Sequence, residues 1–327
     1  MPPVSVAKRF FSLVPERVLD AVEVRGRRAT GYALALNSLE NRVYEVEMED
    51  GERLVAKFYR PGRWSREAIL EEHGYLAEAA EAEIPVIVPI ALDEAGGTLG
   101  ELSGDDGTIY YALFPKVRGR PPEDMSDEQL ARIGRLLARL HHVGARRPAP
   151  ARPRLDPDTY GDASIKLLVE GPYIPFELTA RFATIAGALV AACRRAWVPT
   201  EIIRLHGDAH AGNLLWGSDG PFMLDFDDFL AGPPMQDLWL IAPGRDEEGA
   251  RQRGVVVEAY ESLRALDRPS LALVEPLRAL RILRYAAWVA SRYDDPAFQR
   301  AFPDFEEHAY WQREIAALDE QLRWLDR

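Results

Sequence analysis

The stretch Arg204–Trp216, RLHGDAHAGNLLW, constrains this chain more than any other. His206, Asp208, His210 and Asn213 stand between two apolar pieces, IIRL and LLW, where polar groups add nothing to core stability. Twelve residues after Asn213 an apolar run ends in acids, FMLDFDD (Phe222–Asp228). These residue types in this order match what phosphoryl transfer needs. One carboxylate accepts or orients the proton of an attacking hydroxyl. A second carboxylate and an amide oxygen hold Mg²⁺ against nucleotide phosphates, and a cation neutralises the remaining phosphate charge. Asp208 suits the first role. Asn213 and Asp225 suit the second, because Mg²⁺ prefers oxygen ligands. Lys57, in VAKFY on a predicted strand, suits the third.

The spacing adds to this. Asp-x-x-x-x-Asn has the form of a kinase catalytic loop, and an Asp closing an apolar strand before Phe has the form of the metal-binding Asp-Phe-Gly element. Lys57 needs a carboxylate to aim it. The following predicted helix, Ser65–Glu83, offers Glu67, Glu71 and Glu72, and Glu72 is the choice with Glu71 next. A G-x-G-x-x-G loop is absent. Its place holds ALNSLENR (Ala35–Arg42), where Ser38 offers a hydroxyl and a backbone amide to a phosphate oxygen. An adenine would dock on backbone around Pro115–Val117. Asp237, in QDLW, is read as a buried acceptor of hydrogen bonds from the catalytic-loop backbone.

Each residue also has a plainer reading. Lys57 alone reads as a charged gatekeeper on an edge strand. Asp208, Asn213 and Ser38 read as turn residues, and Asp225–Asp228 as a helix cap. His206 and His210 around Asp208 suggest a zinc site, but His73, His141, His142 and His308 bring no matching carboxylate motif. Taken jointly, the plain readings need several coincidences.

The rest of the chain sets the frame. VYEVEM and RLVAKFY flank Asp50-Gly51 and read as a hairpin. IPVIVPI (Ile84–Ile90) reads as loop and edge strand, and TIYYALF (Thr108–Phe114) as a strand. Residues 1–114 thus form a small β-rich unit with one main helix. Residues 115–119 form a hinge, and 120–327 form a mainly helical unit. Its helices are predicted at 126–144, 178–197, 252–266, 271–293 and 306–325, with short strands at 202–205 and 221–224. The 327 residues, 47% hydrophobic, suffice for such a two-part α+β chain. The balance of 40 basic against 52 acidic residues argues against a nucleic-acid partner. A single cysteine, Cys193, makes no internal disulfide. No apolar run approaches the roughly 18 residues of a membrane helix, so the expectation is a cytoplasmic protein with no membrane partner.

HGDAHAGN with LDFDD resembles the aminoglycoside phosphotransferase and choline kinase branch of the protein-kinase-like fold. SLENRVYEVEMEDGERLVAKFYRPGRWSREAILEEH, RLHGDAHAGNLLW, GPPMQDLWLI and EPLRALRILRYAAWV resemble the bacterial stress response kinase A family over nearly the whole chain. That resemblance implies a bilobal, ATP- and Mg²⁺-dependent kinase of protein Ser/Thr, cytoplasmic and monomeric, associated with stress survival. It implies Asp208 as proton acceptor, Asn213 and Asp225 as Mg²⁺ ligands, and Ser38 at the ATP site. Asp227 stands where most protein kinases have Gly, either aiding a second metal or facing solvent. The alternatives are a small-molecule kinase acting on an amino alcohol, aminoglycoside or sugar, a nucleotide-sensing pseudokinase, and a zinc hydrolase. An acceptor cleft lined with many carboxylates would favour a cationic metabolite.

Overall fold

The computed structural model describes Phe10 and residues 13–104, 107–218 and 220–326. Residues 1–9, 11–12 and 105–106 of the expected β-rich unit lie outside the described residues. By contact the chain forms two compact units. The first is Met1–Asp124 with His210–Asp228, and the second is Met125–Ala209 with Phe229–Arg327. The second passage of the chain through the first unit was not part of the expected division.

The first unit is built on a five-stranded antiparallel sheet, preceded by helix α1 (Pro15–Val22). Its strands are β1 (Ala29–Ala35), β2 (Arg42–Met48), β3 (Arg53–Phe58), β4 (Gly100–Gly104) and β5 (Gly107–Pro115), in the order β1-β2-β3-β5-β4. Glu52 N donates to the Asp50 side chain (2.9 Å), and Gly51, at φ +84°, closes the β2–β3 turn in a conformation glycine adopts freely. Alternation along the strands separates core from cavity. Leu54, Ala56 and Phe58 of β3 pack with Ile109, Tyr111 and Leu113 of β5 and Val18 and Val22 of α1. Val55, Lys57 and Phe114 turn to the other face. Between β3 and β4 runs α2 (Arg66–Glu81), capped by Ser65, whose hydroxyl accepts from Ala68 N at 3.2 Å.

The returning segment adds the hairpin β7 (Leu214–Gly217) and β8 (Gly220–Met223). It is tied to the first unit by the bridges Val86↔Met223 and Arg120↔Trp216. Ile84–Ile90 is therefore not an edge strand of the sheet. Pro85 and Pro89 donate no ladder hydrogen bond, and only Val86 makes a bridge.

The second unit is mainly helical. It contains α3 (Asp127–Gly144), α4 (Ala163–Glu170), α5 (Phe176–Ala196), α6 (Met235–Ile241), α7 (Glu247–Glu261), α8 (Val274–Ala290), α9 (Pro296–Ala301) and α10 (His308–Leu325). A two-stranded ladder, β6 (Ile203–Leu205) with β9 (Leu230–Gly232), completes it. Ser126 and Gln129 form the expected capping box on α3. The uncharged run within α5, Phe182–Cys193, stays short of the expected limit. By length and composition alone the whole of α5, FELTARFATIAGALVAACRRA, is long and apolar enough to cross a membrane, with Glu177 and Arg181 inside it. It packs on α8 and α10 and buries Phe182, Ala186, Leu189, Val190 and Cys193.

Candidate active site

The first unit encloses a cavity of about 310 Å³. Ser38, Lys57, Glu72, Pro115, Val117 and Asp225 all line it, so strand alternation, helix spacing and a chain return converge on one place. Apolar side chains complete the wall: Val43, Val55, Leu76, Ile87, Phe114, Leu215 and Met223. An apolar slot with a cluster of charged groups, Lys57, Glu72 and Asp225, suits a heteroaromatic base joined to an anion.

Lys57 Nζ lies 3.5 Å from Glu72, 3.2 Å from Asp225 and 3.2 Å from Asp227. Glu72, 1% exposed, is the helix carboxylate brought to the lysine, while Glu71 is only half-buried. Burial alone would depress the Lys57 ammonium. The carboxylates of Asp227, Glu72 and Asp225 outweigh it and hold its pKa well above the ordinary lysine value, so it stays charged.

Asp225 sits just past β8 at φ +54°, a left-handed conformation that Asp tolerates better than most residues. Its side chain is 56% exposed. Asn213 ends a short helical turn, Ala211–Asn213, and its carbonyl accepts from Leu224 N at 2.9 Å. The amide-bearing residue is thus fastened one position from Asp225, although it does not line the cavity. One carboxylate and one carboxamide oxygen are hard donors, and this set fits Mg²⁺. Among the described residues no group of three or more His, Cys, Asp or Glu is arranged to hold a metal ion.

Asp227 does not face solvent. It is 2% exposed, accepts from Asn41 Nδ2 at 3.2 Å and pairs with Lys57 and Arg63. Arg63 also grips Asp228 and lies 3.6 Å from Glu40. Burial acts against its charge, but Asp227, Asp228 and Glu40 raise its pKa. Asn41 in turn accepts from Arg60 N at 3.0 Å, and its own N–H reaches the Ser38 hydroxyl at 3.3 Å. The loop holding Ser38 is therefore wired to the acidic segment. Sequence reasoning did not single out Arg63 or Asn41. The available signal was a surplus of acids at Asp225–Asp228 with no stated cation.

In the second unit, Asp237 (0% exposed) brackets the loop that bears Asp208. One of its oxygens accepts from His206 N and the other from Gly207 N, each at 2.9 Å. Gln236 Nε2 donates to Gly207 O at 3.0 Å. Gly207 has φ +85°, so His-Gly-Asp places glycine where the turn needs it. His206 Nδ1 accepts from Asp208 N at 3.3 Å, which leaves its proton on Nε2. His210, in the first unit, accepts from Gly212 N at 2.9 Å and caps the turn that carries Asn213. The histidines have separate structural duties. Asp208 pairs with Arg281 Nη1 at 2.7 Å, a partner that sequence reasoning missed.

The profile of the phosphotransferase enzyme family matches residues 33–274. Stress response kinase A of Escherichia coli (strain K12) is 39% identical over 317 residues, covering 97% of this chain and 94% of that relative. The serine/threonine protein kinase RdoA of Salmonella typhimurium (strain LT2) is also 39% identical over the same shares. Among solved structures, an amicoumacin kinase in complex with AMP-PNP, Ca²⁺ and Ami superposes with TM-score 0.75 at 20% identity, covering 94% of this chain and 93% of that one. A microcompartment-associated aminopropanol kinase follows at TM-score 0.68 and 22% identity, covering 95% and 97%. The chain belongs to the phosphotransferase enzyme family, in the group of the bacterial stress response kinase A proteins, and has their α+β, protein-kinase-like fold.

Proposed function

We propose that this phosphotransferase moves the γ-phosphoryl group of ATP to serine or threonine hydroxyls of a protein, in a Mg²⁺-dependent reaction serving stress response. The observation that carries the reading is the Lys57–Glu72–Asp225 constellation on the wall of an apolar cavity. Its charged cluster suits nucleotide phosphates, and the backbone at Pro115–Val117 suits a base edge. The two relatives at 39% identity, one named for stress response and one as a serine/threonine protein kinase, support the acceptor class and the setting.

On this reading Asp208 takes the proton of the acceptor hydroxyl. The hydroxyl oxygen bonds to the γ-phosphorus as the bond to the β-phosphate oxygen breaks, and ADP leaves. Asn213 and Asp225 hold Mg²⁺, which neutralises phosphate charge when bound. Lys57, aimed by Glu72, does the same for the non-transferred phosphates. Catalysis is then positioning and fixed electrostatics. A second reading, a small-molecule kinase, is favoured by the fold neighbours, whose names concern amicoumacin and aminopropanol.

The test is transfer from γ-labelled ATP to generic protein acceptors beside a panel of amino alcohols, using wild type, Asp208→Ala and Asp225→Ala. Labelled protein from wild type is expected. Asp208→Ala should keep ATP affinity and lose transfer, and Asp225→Ala should lose the Mg²⁺-dependent part of nucleotide binding. Labelling of the amino alcohols alone would decide for the second reading.

A further inference from the structure

Arg281 lies on α8, does not line the nucleotide cavity, and its side chain is 41% exposed. Nη1 donates to Asp208 Oδ1 at 2.7 Å. Among the described residues, the other guanidinium N–H groups of Arg281 have no hydrogen-bond partner. The group is thus fixed at one corner to the carboxylate read as proton acceptor, and open at the others.

Its surroundings continue along the helix. Tyr285 and Trp288 follow at i+4 and i+7, on the same face. Their rings stack, with centroids 5.6 Å apart at 28°. Phe302 meets both edge-on, and Tyr285 remains 50% exposed. Glu314, the carboxylate facing Tyr285, is half-buried and hydrogen-bonded to Tyr310, and burial raises its pKa. The surface beside Asp208 in this unit is therefore a cation followed by aromatic rings.

We propose that Arg281 selects the phosphoryl acceptor: its open N–H groups take an anionic group beside the reacting hydroxyl, as in a serine or threonine flanked by Asp or Glu, and repel the ammonium groups of cationic acceptors. The inference rests on Asp208 being the acceptor-side carboxylate. A guanidinium binds a carboxylate through two parallel hydrogen bonds, and a single charge-assisted bond to the acceptor shifts selectivity about tenfold.

The experiment measures kcat/KM of the full chain on serine peptides flanked by Asp/Glu or by Lys/Arg. Glycerate and ethanolamine serve as a small-acceptor pair, and the KM for ATP is recorded throughout. Wild type should prefer the acidic acceptor by about tenfold or more. Arg281→Glu should reverse the preference, Arg281→Gln should abolish it and Arg281→Lys should keep part of it. An unchanged KM for ATP marks a folded chain in each case. The proposal is overturned if wild type favours the basic acceptor or neither, or if Arg281→Glu and Arg281→Gln keep the wild-type preference. If only small acceptors react, the protein-acceptor reading fails while the glycerate-to-ethanolamine ratio still decides the role of Arg281. No transfer to any acceptor by chain that binds ATP overturns both.

Discussion

Replacing Asp237 by Ala tests how the second unit shapes the Asp208 loop. The carboxylate is fully buried and accepts from two backbone N–H groups, His206 and Gly207, as well as facing His141 Nε2 at 3.1 Å. His206 and Gly207 are themselves buried, so water cannot replace the lost acceptor. Each stranded N–H costs about 1–3 kcal/mol, and bonds to a charged group lie in the upper part of that range. Two of them give roughly 3–5 kcal/mol, a large share of the 5–15 kcal/mol that typically stabilises a folded domain. Asp237→Asn keeps one oxygen but turns an NH₂ toward the other donor, so it should fall between wild type and Asp237→Ala.

Function should separate in the same experiment. The cavity is lined by residues of the first unit alone, and Asp237 belongs to the second. Nucleotide affinity should therefore survive at temperatures where the variant is folded, while transfer falls because Gly207 no longer holds Asp208 in place. Denaturant unfolding gives the stability, ATP titration the affinity and labelled-phosphate transfer the rate. An Asp237→Ala chain within about 1 kcal/mol of wild type, or one that loses affinity and transfer in equal proportion, would refute this account.

Three further outcomes follow from the same interactions. Lys57→Met leaves the buried Glu72 and Asp227 without their shared cation and should destabilise the first unit by about 3–5 kcal/mol, with part recovered in Lys57→Met/Glu72→Gln; unchanged unfolding of the single variant would contradict it. Glu45 has its pKa lowered by hydrogen bonds from Lys116 and Arg53, so its stabilisation is complete above the ordinary carboxylate value of 4.5 and is lost as pH falls through the lowered value. Acid titration of Glu45→Gln should show a shallower loss of stability below pH 4.5, and identical curves would remove Glu45 from acid sensitivity. Burial pushes the Cys193 thiol up to about 12, so a thiol reagent at roughly pH 8 should label it only after unfolding, and fast labelling of native chain would be the contrary result.

The parts of this site legible in sequence were those governed by local period or fixed spacing. Alternation placed Lys57 opposite the core residues of β3, and the helix after it supplied Glu72. Asp-Gly marked the β2–β3 turn, and the His-Gly-Asp turn needs its glycine at φ +85°. Pairings set by tertiary packing were not legible. Arg63 meets Asp227 across 164 residues, and Arg281 meets Asp208 across 73, and no periodicity encodes either. Short strands failed for a related reason. Val86 makes a single bridge between prolines, and β7 and β9 are too brief to show an alternating pattern.

The ionic network of the first unit joins these local and distant contributions. Lys57, Arg60 and Arg63 contact Glu40, Glu72, Asp225, Asp227 and Asp228, five carboxylates for three cations. Taken as ionised, they leave two negative charges in excess beside a cavity proposed to hold the tetra-anionic tail of ATP. Without compensation, like charges at such range repel by several kcal/mol in a partly buried setting. A divalent cation matches the excess in sign and size, and the exposed Asp225 is the carboxylate best placed to offer it an oxygen. The buried members are already committed. Arg63 and Asn41 hold Asp227, and Lys57 shares Glu72 and Asp227. That division, with a fixed acidic base and an exposed carboxylate at its edge, is why the Mg²⁺ dependence of nucleotide binding should reside in Asp225 rather than in Asp227.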